Sequence, residues 1–419
     1  MMNISKFGKK ITIGSGIGHL MDDLGHALAE HEDILMLGGG NPAHIPEVQR
    51  HFRKSMVKLL KNDSEFERAI GDYDPPRGST DFIEAICTLL QNEFGWDIQP
   101  KNVSLTNGSQ SAFFTLFNIF AGAFEDGTNK KILLPLAPEY IGYSDVGLVE
   151  DLFVAEKPQI EHIDDHIFKY RINFDRISIT DEIGAICVSR PTNPTGNVLT
   201  DSEIEKLSEL AGENNIPFII DNAYGTPFPN IIFTEAKPIW NEHTIVCMSL
   251  SKLGLPATRT GIVIANEEVI AMVSQVNAVM SLAPGSMGAA IATDLVRSGE
   301  IIRLSRDVIK PFYQKKATQA VEQLLEELKG IDLHIHKPEG AFFLWLWFPG
   351  LPITNAELYE RLKKRGVLVV PGHYFFPGLN EPWQHKNECI RVNYAPDEET
   401  VSKGLTIIAE EVKHALGTS

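Results

Sequence analysis

Thr244-Ile245-Val246-Cys247-Met248-Ser249-Leu250-Ser251-Lys252 is the stretch on which the fold turns. It is an apolar, β-rich run that stops at a lysine flanked by hydroxyls, with Arg259 and Gly261 just downstream. A run that ends this way places the amine at the mouth of a sheet, where α/β folds bind their ligands. An amine partly buried beside other cations gives up its proton more easily, and only the neutral amine attacks a carbonyl. Lys252 therefore reads as a Schiff-base lysine. Ser249, Ser251 and Arg259 offer two hydroxyls and a guanidinium fork suited to a dianion. A phosphate and an aldehyde on one cofactor point to pyridoxal phosphate. Taken alone, S-x-S-K equally fits a surface lysine behind helix-capping serines, so the other stretches have to decide.

Outward from this run, strand-like and helix-like stretches alternate. Residues 132–136 read as a strand ending before Pro138-Glu139-Tyr140, and 184–189 as another before the rigid loop Arg190-Pro191-Thr192-Asn193-Pro194-Thr195-Gly196. Thr200-x-x-Glu203 is a capping box ahead of Ile204, Leu207, Leu210 and Ala211 at helical spacing. Residues 217–220 form the next strand, ending in Asp221, and 261–265 follow the lysine strand. Such alternation predicts an α/β fold with a mainly parallel, doubly wound sheet covered by helices. Asn193, Asp221 and Lys252 each follow a different strand end, so they are expected to converge on one rim of that sheet.

Upstream, 71–78 is a dense turn, 79–92 an amphipathic helix and 101–106 a strand. Asn107-Gly108-Ser109-Gln110 then opens an apolar helix whose free N–H groups suit either a phosphate or an ordinary N-cap. Leu37-Gly38-Gly39-Gly40-Asn41-Pro42 reads as a loop. Residues 10–13 resemble a strand and 19–30 a helix around Gly14-Ser15-Gly16-Ile17-Gly18. That spacing, G-x-G-x-G, is one residue short of a dinucleotide fingerprint.

Downstream, a long helix over 298–329 leads to a smaller α+β domain with strands at 340–347, 367–370 and 389–394 and a helix at 355–365. Arg391 sits at the centre of the last strand, and an arginine inside an apolar strand needs an anion. The expected domains are a segment 1–47 joined to the small domain, a cofactor domain 48–297, and the small domain 298–419. Trp345, Trp347, Phe375 and Phe376 read as core residues, with a substrate pocket as the alternative.

The chain has 419 residues, 43% hydrophobic and 22% charged, enough for a large core, and its formal charge of -17 disfavours nucleic acid or an anionic membrane as partner. The four cysteines form no C-x-x-C pair and fit a reducing cytoplasm. The longest apolar run is too short to span a bilayer, and no signal-length apolar stretch follows the N-terminal lysines. His162 with His166, and His334 with His336, lack a third ligand at a metal-binding spacing and read as solvated side chains; no metal is expected.

With these motifs in order, the sequence resembles the fold-type I pyridoxal-phosphate aminotransferases of the aspartate-aminotransferase superfamily. The likeness runs from Leu37 to the C-terminus through Tyr73 in Y-D-P-P-R-G, Asn107 to Gln110, Pro138-Glu139-Tyr140, Asn193-Pro194-Thr195-Gly196, Asp221-Asn222-Ala223-Tyr224, S-L-S-K, Arg259 and Arg391. The longer strings L-A-P-E-Y-I-G-Y and H-K-P-E-G-A-F-F-L-W-L-W resemble the subgroup that exchanges amino groups between valine, or a similar small aliphatic amino acid, and pyruvate.

The resemblance implies that Lys252 binds the cofactor aldehyde, Asp221 pairs with the ring nitrogen, Tyr224 and Asn193 bond the ring phenolate, and Tyr140 stacks on the ring. Gly108, Ser109 and Gln110, with Ser249, Ser251 and Arg259, would hold the phosphate. Tyr73 would reach it from the other subunit of a homodimer whose active sites are shared across the interface. Arg391 would clamp the substrate carboxylate near Asn193 and Gly40. Amino acids and 2-oxo acids are the implied partners, in a ping-pong exchange that returns pyruvate as alanine. A C–S lyase, an aminotransferase of other specificity and a non-catalytic cofactor-binding regulator remain open. Arg259 lies seven residues after Lys252 where most relatives have eight, and Ala257 replaces a common glycine, so a tighter loop is expected.

Overall fold

Continuous apolar strands are stable only when both faces of their sheet are covered. Ile183–Ser189, Phe218–Asp221 and Thr244–Ser249 are buried along their whole length. They lie side by side and parallel in the computed structural model, which describes residues 3–12 and 34–417 together with Gly18, Asp23 and Gly25. Asn129–Leu134 continues the parallel row beyond Ile183–Ser189, and Phe153–Ala155 pairs with it. On the other side, Gly261–Ile264 runs antiparallel to both Thr244–Ser249 and Val103–Thr106. With Gly122–Ala123, this makes an eight-stranded mixed sheet with a parallel centre. Register sets Ser189 opposite Asp221 and Asp221 opposite Cys247, so the strand ends share one rim as expected.

The helices that cover the sheet start where the local chemistry dictates. Thr200 Oγ1 accepts the Glu203 N–H at 3.2 Å and Glu203 Oε2 accepts the Thr200 N–H at 2.8 Å, the reciprocal cap of Asp201–Glu213. That helix turns Ile204, Leu207 and Ala211 into the core. Thr80–Phe94 ends at Gly95 in the left-handed region, φ 67°.

A second, six-stranded sheet holds Val370–Pro371, Cys389–Asn393, Phe343–Trp347, His334–His336, Ile167–Arg171 and Gln159–His162 in that order. Its last two strands come from the middle of the chain and are hydrogen-bonded into a sheet otherwise built from C-terminal residues. Arg391 stands opposite Trp345 and Val370 on its two neighbours. Trp345, Phe375 and Phe376 are core residues, and the Trp345 indole N–H donates to Tyr170 Oη at 2.9 Å.

Several sequence expectations are corrected. Lys10 to Thr12 do not start a strand but end the helix Lys6–Thr12, and Ile13 lies outside the described residues. The rest of the apparent fingerprint, apart from three single residues, lies outside the described residues. The expected strand at 367–370 is two: Val367–Leu368 pairs with Leu35–Met36, and Val370–Pro371 turns to the six-stranded sheet. The strand expected from 340 begins at Phe343, because Gly340 bridges instead to Ile232 and Ala341 takes φ 57°. The long helix runs from Glu300 to Glu327 through a wider π turn at Ser305–Ile309. Pro311 follows that turn and has no N–H for the regular ladder, which accounts for the irregularity. His336 is fully buried rather than solvated, because its Nε2 accepts the Tyr170 N–H at 3.1 Å, and burial pushes its pKa down to about 3.

Candidate active site

At the rim of the large sheet, facing Arg391 of the smaller one, lies a cavity of about 260 Å3. Gly40, Ser109, Gln110, Tyr140, Asn193, Asp221, Tyr224, Ser251, Lys252, Arg259 and Arg391 all line it. Three of the residues singled out from sequence do not. Tyr73 stands 80% exposed on its loop, outside this cavity. Gly108 lies just behind the lining and Ser249 just beneath it.

One end of the cavity is built for an anion. Ser109–Phe120 begins here, its first-turn N–H groups and positive dipole end directed outward. Gly108 precedes it at φ 85°, and a Cβ there would fall 2.3 Å from Arg259 Nη2, so only glycine leaves room for that guanidinium. Arg259 gets there by a tight route. A 3-10 turn at Pro256–Thr258 is followed by Arg259 itself at φ 48°, ψ 58°, a left-handed conformation that costs a non-glycine residue about 1–2 kcal/mol. This absorbs the seven-residue spacing from Lys252. Ser249 Oγ accepts the Ser251 N–H at 3.0 Å and is 1% exposed, so it braces the turn beneath the lysine while Ser251 faces the cavity.

The opposite end is a carboxylate. Asp221 Oδ2 accepts the Tyr143 hydroxyl at 2.8 Å, and Oδ1 accepts the Ala223 N–H at 3.0 Å. Burial pushes its pKa up to about 6, against the pull of these donors and of Lys252, which leaves it ionised at neutral pH.

Lys252 lies between the two ends. Its Nζ donates to Gly40 O at 2.8 Å and sits 5.4 Å from the Tyr224 ring centre and 5.6 Å from that of Phe342. Burial first, then repulsion from Arg391, lowers its pKa to about 8, with Asp221 opposing and Arg259 assisting. Arg391, 4% exposed, donates from Nη1 to Asn193 Oδ1 at 2.8 Å and from Nη2 to Gly38 O at 2.6 Å. The Phe343 and Phe375 rings flank its guanidinium at 4.3 and 5.2 Å, and its Nε has no partner among the described residues. Burial lowers its pKa to about 10, and among the described residues no carboxylate forms an ion pair with it. A buried guanidinium without an acid leaves room for a ligand's carboxylate.

Sequence reasoning missed three residues here: Ser189, which lines the cavity, and Glu139 and Tyr143 behind it. Glu139 Oε1 accepts the Ser189 N–H at 2.8 Å, and its Oε2 lies 2.5 Å from Ser189 Oγ. The signal was an acid set between a proline and an aromatic in an otherwise apolar string.

The profile of the aminotransferase class I and II family matches residues 36–408. The chain belongs to this family. It is 51% identical over 418 residues to the valine–pyruvate aminotransferase of Escherichia coli K12, covering 100% of both chains. The crystal structure of valine-pyruvate aminotransferase from Salmonella typhimurium LT2 superposes with a TM-score of 0.89 at 51% identity, over 96% of this chain and 100% of that one. Aspartate aminotransferase from Thermus thermophilus with maleate, at 22% identity and a TM-score of 0.78 over 98% and 100% of the two chains, shares the fold.

Aminotransferases of this family work with pyridoxal 5′-phosphate, and the residues present fit it. A helix start and the Arg259 guanidinium, admitted by the missing Gly108 side chain, suit its phosphate. The buried Asp221 carboxylate suits a protonated ring nitrogen, and the Lys252 amine suits its aldehyde. Among the described residues, no group of three or more His, Cys, Asp or Glu is placed to hold a metal, and no helix is long and apolar enough to cross a membrane.

Proposed function

We propose that this aminotransferase transfers the amino group between valine, or a similar small aliphatic amino acid, and pyruvate, giving the 2-oxo acid and alanine. The observation that carries this reading is 51% identity over the full chain to a valine–pyruvate aminotransferase. The cavity supports it: Lys252, Arg259 and Arg391 line it, suited to the cofactor aldehyde, its phosphate and the substrate α-carboxylate in turn, and Ile141 and Pro191 add apolar surface.

Bound pyridoxal phosphate supplies an aldehyde carbon that accepts amines and a ring that draws off electrons when the substrate Cα–H bond breaks. Asp221 holds the proton on the ring nitrogen. Ser109, Gln110, Ser251 and Arg259 hold the phosphate, with Tyr73 contributed by the other subunit of a homodimer. Tyr224 and Asn193 steady the ring oxygen, and Tyr140 covers the ring face. Arg391 would clamp the substrate carboxylate and so orient its Cα–H bond. Lys252 Nζ would bind the aldehyde and, once freed, would be the base placed to take the Cα proton, its pKa lowered to about 8 by burial and Arg391. We place the enzyme in the cytoplasm, with residues 48–297 as the large domain, which lends the strands Gln159–His162 and Ile167–Arg171 to the other sheet, and 1–47 with 298–419 as the small one.

Half-reactions test this. Adding valine alone to the holoenzyme should convert the aldehyde-form absorbance to that of the amine form, and pyruvate should restore it. Aspartate and tyrosine should act at least about tenfold more slowly. No spectral change with valine would sink the proposal, and 2-oxo acid release over many turnovers without pyruvate would make the enzyme a lyase.

A further inference from the structure

The carboxyl of Glu139, 2% exposed, is buried beyond the cavity lining and has no part in the mechanism above. It stands at one end of a line of four side chains. Glu139 Oε2 lies 2.5 Å from Ser189 Oγ, Ser189 Oγ lies 3.3 Å from Tyr143 Oη, and Tyr143 Oη lies 2.8 Å from Asp221 Oδ2. Its backbone is tied as well: the Glu139 N–H donates to Phe375 O at 2.8 Å, and the Tyr140 N–H reaches Oε2 at 3.2 Å.

The count of protons along this line decides its direction. Tyr143 has one hydroxyl proton, and the Asp221 carboxylate takes it. With Glu139 ionised, the Ser189 proton would go to Glu139. The Ser189 and Tyr143 oxygens would then face each other with lone pairs only, and two carboxylates would share one dry pocket. With Glu139 protonated, Glu139 donates to Ser189, Ser189 to Tyr143 and Tyr143 to Asp221. Each link then holds one hydrogen, and one charge remains, where the cofactor nitrogen needs it.

We propose that Glu139 is a positioning residue: as a protonated carboxyl it heads a one-way hydrogen-bond chain through Ser189 and Tyr143 that aims the Asp221 carboxylate at the cofactor ring. The inference rests on the reading of Asp221 given above. Burial, with Asp221 adding repulsion against the Ser189 and Tyr140 donors, pushes Glu139 up to about 8, which agrees with this direction. Cys187 faces both carboxyls, and burial keeps its thiol neutral beside the chain.

Glu139→Gln separates the two proton placements, since its amide can donate to Ser189 Oγ and accept the Ser189 N–H but can never be an anion, losing only the long 3.2 Å contact of the Tyr140 N–H with Oε2. Wild-type apoenzyme should show the infrared carbonyl band of a protonated carboxyl, lost in Glu139→Gln. Cofactor affinity, read by equilibrium titration, should stay within about threefold of wild type in Glu139→Gln and fall about tenfold or more in Glu139→Ala and Ser189→Ala. Turnover should follow the same order, with glutamine rescuing what alanine loses. Absence of the band, or glutamine failing as badly as alanine, overturns the proposal; if Glu139→Ala does not fold, the glutamine and Ser189→Ala variants carry the test. Asp221→Ala is the separate control: unchanged cofactor affinity there refutes the role of Asp221 itself.

Discussion

Two lysines with lowered pKa values show what separates a structural amine from a chemical one. Lys169, in Ile167–Arg171, is 3% exposed; its Nζ is ion-paired with Glu339 and donates to Val198 O at 2.9 Å. Glu339 also accepts the Val198 N–H at 3.2 Å, so the pair stitches the smaller sheet to the loop beyond the large one. Lys252 has a neutral carbonyl for its hydrogen-bond partner, two arginines pressing on it and Asp221 as the offsetting charge. Desolvation lowers both pKa values, but at Lys169 a paired carboxylate resists and holds the proton in place. Burial is the leading cause at both, and the neighbouring charges then separate the lysine that can become a nucleophile from the one that keeps its proton.

Breaking each side of this comparison should give opposite results. Lys252→Ala should cost about 10^4-fold in turnover, the upper range for losing a general acid–base group, with little change in the denaturation midpoint. Borohydride reduction of the wild-type holoenzyme should place its label on the Lys252 peptide; a label elsewhere would remove the basis for that expectation. Lys169→Met should instead cost up to about 3–5 kcal/mol of stability, because it takes the buried partner from Glu339 and leaves only the half-exposed Lys337, 3.2 Å from Oε1, and adding Glu339→Gln should recover part of that. Chemical denaturation reads the second effect. A large activity loss in folded Lys169→Met would erase the distinction.

The rim itself was legible because strand ends can be read in one dimension. Asn193, Asp221 and Lys252 follow three apolar runs, and the parallel register that unites them is what β-α-β alternation implies. The Glu139–Ser189–Tyr143 line was not, because its members meet only after two strands pair and a loop folds back, and hydrogen-bond partners leave no periodicity in the sequence. Local pattern also failed where it was short. Lys10 to Ile13 alternates like a strand, but a helix satisfies its own backbone whereas a strand needs a neighbour. Val367 to Val370 is apolar throughout, and nothing in four such residues announces that the chain changes sheets at Val369.

The smallest predicted effect tests the comparison most finely. The neutral amine captures the cofactor aldehyde, and with a pKa lowered to about 8 roughly a tenth of Lys252 is neutral at pH 7, against about one in 2,500 for an ordinary lysine near 10.4. The rate at which apoenzyme captures pyridoxal phosphate, followed by absorbance, should therefore rise about tenfold per pH unit below about 8 and level off above it. Arg391 is the largest cause of that shift after burial. Arg391→Ala removes a like charge, so the Lys252 proton is held more tightly, the break moves to higher pH and capture at pH 7 slows. An unmoved break in the variant would assign the whole shift to desolvation, and the two lysines would then differ only in whether a carboxylate stands beside them.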